Sequence, residues 1–312
     1  MSLLRTLARQ RRLLSTTPPP ALDSDALASW IVSEKKLSLT DTVHEERVSD
    51  LYVTLPTRDG TRTPYVAPRA GSALGFGHHL AFFHPRNPEN ALRWDGTDAD
   101  FCPPEPFTRR MWAGGRMEWR SSLRIGETVV AHSEMLDVQK KGFDKGSPMV
   151  FVKQRIEYKR AGSDDVAILE ERSHVYLAAL ASRRHAKQVT GMPPPDFSFH
   201  YLPSPTTLFR FSALTFNGHY IHLDKDYANS EGYSERLVHG PLTALMLLDA
   251  TIFHNPEVKP KTFEYRALNP LVVNKGITIH GAWDRASADG KALLVWAVDD
   301  EDVVGMSGRI SV

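Results

Sequence analysis

The chain of 312 residues is 41% hydrophobic and 24% charged. That composition suits a folded globular protein with a sizeable core and excludes collagen, coiled coil and a wholly disordered chain. Its single cysteine, Cys102, excludes an internal disulfide and a cysteine-based zinc site. With 38 basic residues against 37 acidic ones, it also lacks the positive field of a general nucleic-acid or anionic-membrane binder.

Residues 1–20 differ in composition from the rest of the chain. Arg5, Arg9, Arg11 and Arg12 alternate with Leu3, Leu4, Leu7, Leu13 and Leu14, and no acidic residue precedes Asp23. An arginine-rich, acid-free, amphipathic stretch trailed by Ser and Thr predicts a mitochondrial transit peptide and hence a matrix location; a secretory signal needs a continuous apolar middle. Without those four arginines, 34 basic residues face 37 acidic ones, so the mature chain is slightly acidic.

Residues 25–34 predict a short packing helix with Leu27, Trp30 and Ile31 on one face. Residues 116–138, 149–158 and 166–179 alternate as three long antiparallel strands, with turn signals at Gly126-Glu127 and over 162–165. Gly191 and Pro193–Pro195, followed by Pro203 and Pro205, can continue neither helix nor central strand. They predict a boundary between an N-terminal unit of residues 21–190 and a C-terminal unit of residues 200–312. Beyond it the pattern predicts strand or loop at 207–214, an irregular polar stretch and an apolar helix over 241–253, with Pro241 in its first turn. Four strands come after it, at 261–268, 271–283, 292–299 and 303–312. The helix is the longest apolar run, and Thr243, Asp249 and Thr251 interrupt it, so no membrane span of roughly 18 apolar residues is expected. A long helix followed by a strand meander predicts an α+β unit whose sheet wraps the helix. Leu123-Arg124-Ile125-Gly126 and Leu271-Val272-Val273-Asn274, 148 residues apart and each followed by apolar strands, suggest a tandem pair of one small fold.

The densest chemically useful cluster is Phe211-Ser212-Ala213-Leu214-Thr215-Phe216-Asn217-Gly218-His219-Tyr220-Ile221-His222-Leu223-Asp224, followed by Val238-His239-Gly240-Pro241. The two segments resemble the signature of the MaoC-like (R)-specific enoyl-thioester hydratases and dehydratases. Within that family they resemble the two-module mitochondrial 3-hydroxyacyl-thioester dehydratase type 2 group and its mesaconyl-C4-CoA hydratase relatives. The resemblance is concentrated in residues 209–249 and thinner over 25–180. It implies a tandem (double) hot dog fold, each module an antiparallel sheet wrapped around a central helix, with a degenerate first module that shapes the acyl tunnel. It places His222 on the family's catalytic histidine, Asn217 on its partner acid and Gly240 on the backbone donor at the helix start. The amide at Asn217 is the main departure from the pattern.

Those residue types suit the chemistry. Removing the α-proton of a 3-hydroxyacyl thioester needs a base near neutral pKa, which imidazole supplies. The charge that develops on the thioester oxygen needs a preorganised donor, and an N–H at a helix N-terminus adds the favourable end of the dipole. Asn217 cannot take a proton, but its amide can orient the leaving hydroxyl or attacking water. The expected activity is dehydration of (R)-3-hydroxyacyl thioesters, on acyl carrier protein or CoA, to trans-2-enoyl thioesters in mitochondrial fatty acid synthesis. Hydration of a short branched or dicarboxylic enoyl-CoA is the alternative. No metal or other cofactor is implied, the expected partner is the acyl thioester itself, and monomer and homodimer are equally expected. His239 is read as bracing the loop; His44, His78, His79, His132, His174 and His254 are read as solvated or satisfied. Two rivals remain open: a non-haem iron triad of His222, Asp224 and His280, and a thioester-binding module without catalysis.

Overall fold

The computed structural model describes residues 21–178, 186–287 and 290–312; the expected leader over 1–20 lies outside them. The Asp23 carboxylate accepts from the amides of Asp25 and Ala26 and so caps the first helix, α1 (Ser24–Val32). Leu27, Trp30 and Ile31 seat that helix on a small cluster containing Phe107, Val150, Val152 and Tyr176. Next come β1 (Lys36–Thr42), α2 (Glu45–Tyr52), a long irregular segment holding the 3₁₀ turns His78–Ala81 and Glu89–Ala91, then β2 (Phe107–Trp119), β3 (Thr128–Lys141), β4 (Met149–Arg160) and β5 (Val166–Ala178). The second half runs β6 (Phe197–Tyr201), α3 (Pro205–Leu214), α4 (Tyr220–Leu223), α5 (Lys225–Ser230), α6 (Gly240–His254), β7 (Thr262–Ala267), β8 (Ile277–Trp283), β9 (Ala292–Asp299) and β10 (Val304–Ser311).

All ten strands form one antiparallel sheet in the order β1-β3-β4-β5-β2-β7-β10-β9-β8-β6. Counted outward from the central β2–β7 pair, the two halves have the same strand order, each strand matched by the one five places later. The faint sequence repeat is a repeat of hydrogen bonds as well. Leu74 N donates to Leu123 O at 2.7 Å as Val238 N does to Leu271 O at 2.8 Å, and Ile125 N donates to Ser72 O at 2.9 Å as Val273 N does to Arg236 O at 3.1 Å. Gly126 and Asn274 turn the chain at the same place with φ of 94° and 62°. At the join, a Cβ on Gly114 would stand 2.4 Å from Tyr265 O, so only glycine lets β2 and β7 approach closely enough to pair.

The protein is thus a double hot dog, but the halves differ in their central helix. In the second half α6 is apolar on every side, and Leu242–Thr251 are all buried, as a helix enclosed by protein requires. It packs on β8, β9, β2 and β10. In the first half the segment after Leu74 forms only the turn His78–Ala81; the full helix expected in each module is present once.

Three other expectations need correction. Residues 207–214 belong to a helix, because Ser204 and Thr207 form a capping box and Pro205 sits at its first position. The strand expected from Leu271 begins at Ile277; before it, the positive φ of Asn274 leaves only an isolated bridge between Leu237 and Val272. The first half has four long strands and the shorter β1, not three strands, because β2 starts as early as Phe107.

The far end of α6 is tied to the irregular segment of the first half through Asp249, which is only 2% exposed. Arg58 grips its carboxylate through Nε at 2.8 Å and Nη2 at 2.7 Å, His78 Nε2 lies 3.1 Å away, and Thr57 donates its hydroxyl. Burial alone would raise the Asp249 pKa, but the Arg58 charge and the His78 and Arg58 hydrogen bonds hold it well below the usual carboxylate range. Asp249→Asn should therefore cost about 3–5 kcal/mol at neutral pH, the scale for removing one partner of a buried ion pair. A depressed carboxylate pKa contributes stability in full above its unfolded value of about 4 and loses it as pH falls below that. Urea unfolding at pH 7 and pH 3 should show the gap between wild type and variant narrowing in acid. A pH-independent gap below about 1 kcal/mol would show that the network stabilises nothing.

Candidate active site

The candidate catalytic motif begins where α3 ends. Phe216 N donates to Ala213 O and Asn217 N to Ser212 O at 2.9 Å, the two bonds of a Schellman cap. The left-handed position in that cap usually belongs to glycine; here Phe216 occupies it at φ 50°, a local strain that fixes where Asn217 emerges. The Asn217 Oδ1 accepts from the amide of His219 at 3.0 Å, which leaves its NH2 available as a donor.

One helical turn, α4, then presents His222. Its Nδ1 lies 2.8 Å from Leu237 O. A carbonyl only accepts, so Nδ1 carries the proton and Nε2 keeps its lone pair. Burial pulls the imidazole pKa down to about 4, with the positive charge of Arg110 adding to the effect and the Leu237 carbonyl opposing it. The ring stacks on His239 with centroids 3.7 Å apart at 20°. His239, the N-cap of α6, is fully buried, with Nε2 2.9 Å from Ser212 Oγ and its ring edge-on to Phe211. Through this stack, the end of α3 and the start of α6 hold His222 in one orientation. His219 is also buried, 5.5 Å from His222, and burial keeps its pKa well below normal.

Gly240 opens α6. A Cβ there would stand 2.7 Å from Trp112 Cβ, so the position admits no side chain while Trp112 holds its place. The first amides of a helix have no intrahelical acceptor; Pro241 has no N–H, and of Gly240 and Leu242 only Gly240 lines the cavity, which makes its amide the candidate donor at this entrance. Asn217, His222 and Gly240 all line one cavity of about 1340 Å³.

The other wall of that cavity comes from the first half, where the central helix is missing. From β5 the cavity is lined by Glu171, Arg172, Ser173, His174, Val175 and Leu177, and the register sets Trp112 opposite His174 and Arg110 opposite Tyr176. Glu170 is fully buried and accepts from Arg172 Nε at 2.8 Å and Tyr158 Oη at 2.8 Å. Burial would raise its pKa, but the Arg172 guanidinium holds the carboxyl well below the usual range. Arg172 also lies over the Trp112 ring at 5.0 Å. Sequence pattern alone sets His174 aside and does not single out Arg110, Trp112 or Tyr158. The available signal is a row of polar residues at inward positions of a strand, in Glu170-x-Arg172-x-His174.

The residues of the iron rival do not come together. His280 Nδ1 pairs with Ser198 Oγ at 2.7 Å, and Asp224 caps α5 through the amide of Tyr227. Among the described residues no three His, Cys, Asp or Glu are grouped closely enough to hold a metal, and no helix is long and apolar enough to cross a membrane. Lys225 and Arg236 both pair with Glu235, at 3.0 and 2.9 Å.

Comparison with known proteins identifies the family and the fold. The sequence profile for hydroxyacyl-thioester dehydratase type 2 matches residues 77–273. The mesaconyl-C(4)-CoA hydratase of Chloroflexus aurantiacus is 36% identical over 213 residues, covering 67% of this chain and 74% of that protein. The mitochondrial hydroxyacyl-thioester dehydratase type 2 of Schizosaccharomyces pombe is 27% identical over 240 residues, covering 67% and 77%. Among solved structures, a MaoC-like dehydratase from Phytophthora capsici superposes with a TM-score of 0.63 at 15% identity over 93% of this chain and 97% of its own. A Mycobacterium tuberculosis protein described as a double hot dog gives 0.53 at 17% identity over 89% and 95%. The structural likenesses carry the fold; the sequence matches carry the kinship, and by them this chain belongs to the hydroxyacyl-thioester dehydratase type 2 family of hydro-lyases.

Proposed function

We propose that His222, Asn217 and Gly240 interconvert (R)-3-hydroxyacyl and trans-2-enoyl thioesters. The observation that carries this reading is the Nδ1 bond from His222 to Leu237 O, which keeps the Nε2 lone pair on a ring that lines the same cavity as Gly240. In dehydration Nε2 takes the α-proton, the developing oxyanion accepts from the Gly240 N–H, and the C3–O bond breaks as the same proton returns to the leaving hydroxyl. In hydration water is held by the Asn217 NH2, adds to C3 and delivers its proton through Nε2 to C2. An amide can orient but cannot exchange protons, so one histidine carries both transfers. A module that only binds thioesters has no use for that base.

The carrier and acyl chain divide the family. The sequence expectation is dehydration on acyl carrier protein in mitochondrial fatty acid synthesis, supported by the yeast relative's mitochondrial name and the arginine-rich leader. A second reading, hydration of a short dicarboxylic enoyl-CoA, is supported by the bacterial relative and by the cavity wall itself. An alkyl chain laid along Arg172 and His174 would strip water from polar groups and return no hydrogen bonds, whereas a short polar acyl group can pair with them. We favour this second substrate class.

Loss of enoyl absorbance measures hydration directly. His222→Ala should reduce kcat by about a hundredfold or more, the scale for a lost general base. Asn217→Ala should reduce it by about tenfold to a hundredfold by losing one orienting donor. A folded wild type inert towards both CoA and acyl carrier protein substrates would overturn the hydro-lyase reading in favour of a binding module. The protonation state gives a further check. A histidine whose pKa is lowered to about 4 is neutral, and active as a base, throughout the range above that value. The acid limb of kcat/KM for the free protein should thus lie near pH 4 and not near 6.5, with circular dichroism confirming that the fold persists; a limb near 6.5 would mean that the histidine titrates normally.

A further inference from the structure

The cavity contains a cation that no side chain pairs. Arg110 lines it beside His222 and Asn217, and among the described residues its guanidinium makes no hydrogen bond or ion pair. The other arginines of this region are engaged: Arg109 with Glu231, Arg172 with Glu170, and Arg93 with Thr108 O. The carboxylates whose fields reach Arg110, Asp95 and Asp98, are not in contact with it. Asp95 accepts from Thr97, and Asp98 accepts from Asn87.

Its position is set by strand geometry. Arg110 lies two residues before Trp112, on the same face of β2, and Trp112 touches Gly240 and stands edge-on to His174 at 5.1 Å. The guanidinium is therefore carried one strand step from the residue that packs on the oxyanion donor. His174 adds a second unsatisfied group, since its Nδ1 is shut off from solvent with no hydrogen-bond partner. Buried polar groups are nearly always paired, and an enclosed guanidinium offers five donors in a planar fork that matches a carboxylate. Two unpaired polar groups at one end of a reaction cavity therefore mark a subsite for an anion.

We infer that Arg110, with His174 beside it, receives a free carboxylate on the acyl group, making the substrate a short enoyl or 3-hydroxyacyl thioester of a dicarboxylic acid. The inference rests on the hydro-lyase reading above and names the substrate class of the same site. The substrate's other anions are the carrier's phosphates. These lie a whole pantetheine arm from the thioester carbonyl, whereas the carboxylate of a four-carbon diacid is only a few bonds away. A subsite tied to Gly240 through Trp112 suits the carboxylate.

The test compares hydration of mesaconyl-C4-CoA with that of trans-2-butenoyl-CoA, a neutral four-carbon acyl group, in wild type, Arg110→Met and Arg110→Lys. At pH 8, where His222 is neutral with or without the Arg110 charge, the expected result is a kcat/KM loss of about a hundredfold or more on mesaconyl-C4-CoA for Arg110→Met, a smaller loss for Arg110→Lys, and a change of less than about threefold on butenoyl-CoA for both. Turnover of butenoyl-CoA shows that each variant is folded and its catalytic groups intact. Equal losses on the two CoA esters would overturn the assignment. The N-acetylcysteamine thioester of trans-2-butenoate, which has no phosphate, then separates the causes: it is unaffected by the substitution if Arg110 grips the carrier and impaired if Arg110 only supports the fold. A wild type that hydrates butenoyl-CoA but not mesaconyl-C4-CoA overturns the carboxylate subsite and leaves the hydro-lyase reading standing; a wild type that hydrates neither overturns the reading itself.

Discussion

A helix with no polar face has to be enclosed on every side, and α6 is such a helix. Leu245, Met246, Leu247 and Leu248 are consecutive and wholly buried, so no single sheet face can cover them. The second half-sheet curves around one side. The remaining side is closed by β2 and by the irregular segment of the first half, which the Asp249 network anchors. Burying each of these side chains contributes roughly 1.5–3 kcal/mol, which makes the enclosure the main reason that two half-sheets join edge to edge through Gly114. The N-terminus of α6 then has one place to be, with its first amide at the rim of the cavity and its N-cap histidine stacked on His222.

The same enclosure explains why the halves diverged as they did. In the first half only the turn His78–Ala81 stands at the helix position, its four residues buried against α6, and the chain that follows it, at Phe83, His84 and Pro85, lines the cavity. The cavity wall can then carry Arg172 and His174, with Glu170 buried behind them. Polar groups in such a wall must still be satisfied. Glu170 and Arg172 satisfy each other with the help of Tyr158, and that pairing keeps a charged wall compatible with a folded first half.

Sequence patterns report what local physics decides. The apolar run of α6 is legible because burial on all sides leaves no polar stripe. The β4–β5 hairpin is legible because its residues alternate in and out. The spacing from Asn217 to His222 to Gly240 is legible because one helix end, one turn and one helix start hold all three. α3 is misread because Pro203 and Pro205 look like breakers, whereas Ser204 before a proline is also how a helix begins. The shortened helix of the first half is invisible, since its place is set by contacts distant in the chain, such as the hydrogen bond from Leu74 N to Leu123 O. Arg110 is least legible of all. Its neighbour Arg109 finds Glu231, 122 residues away in the chain, while Arg110 has no partner among the described residues, and nothing in two adjacent arginines says which will be matched.

On the proposed reading, catalysis and recognition fall on opposite halves of one chain. The second half would supply the base, the orienting amide and the oxyanion donor, all held by contacts around the start of α6. The first half supplies much of the chamber wall, and Trp112 packs it against Gly240. On this view the family's division between fatty-acyl and dicarboxylic substrates is a division in the first half's wall. It requires no change at His222, whose hydrogen bond to Leu237 O is made entirely within the second half.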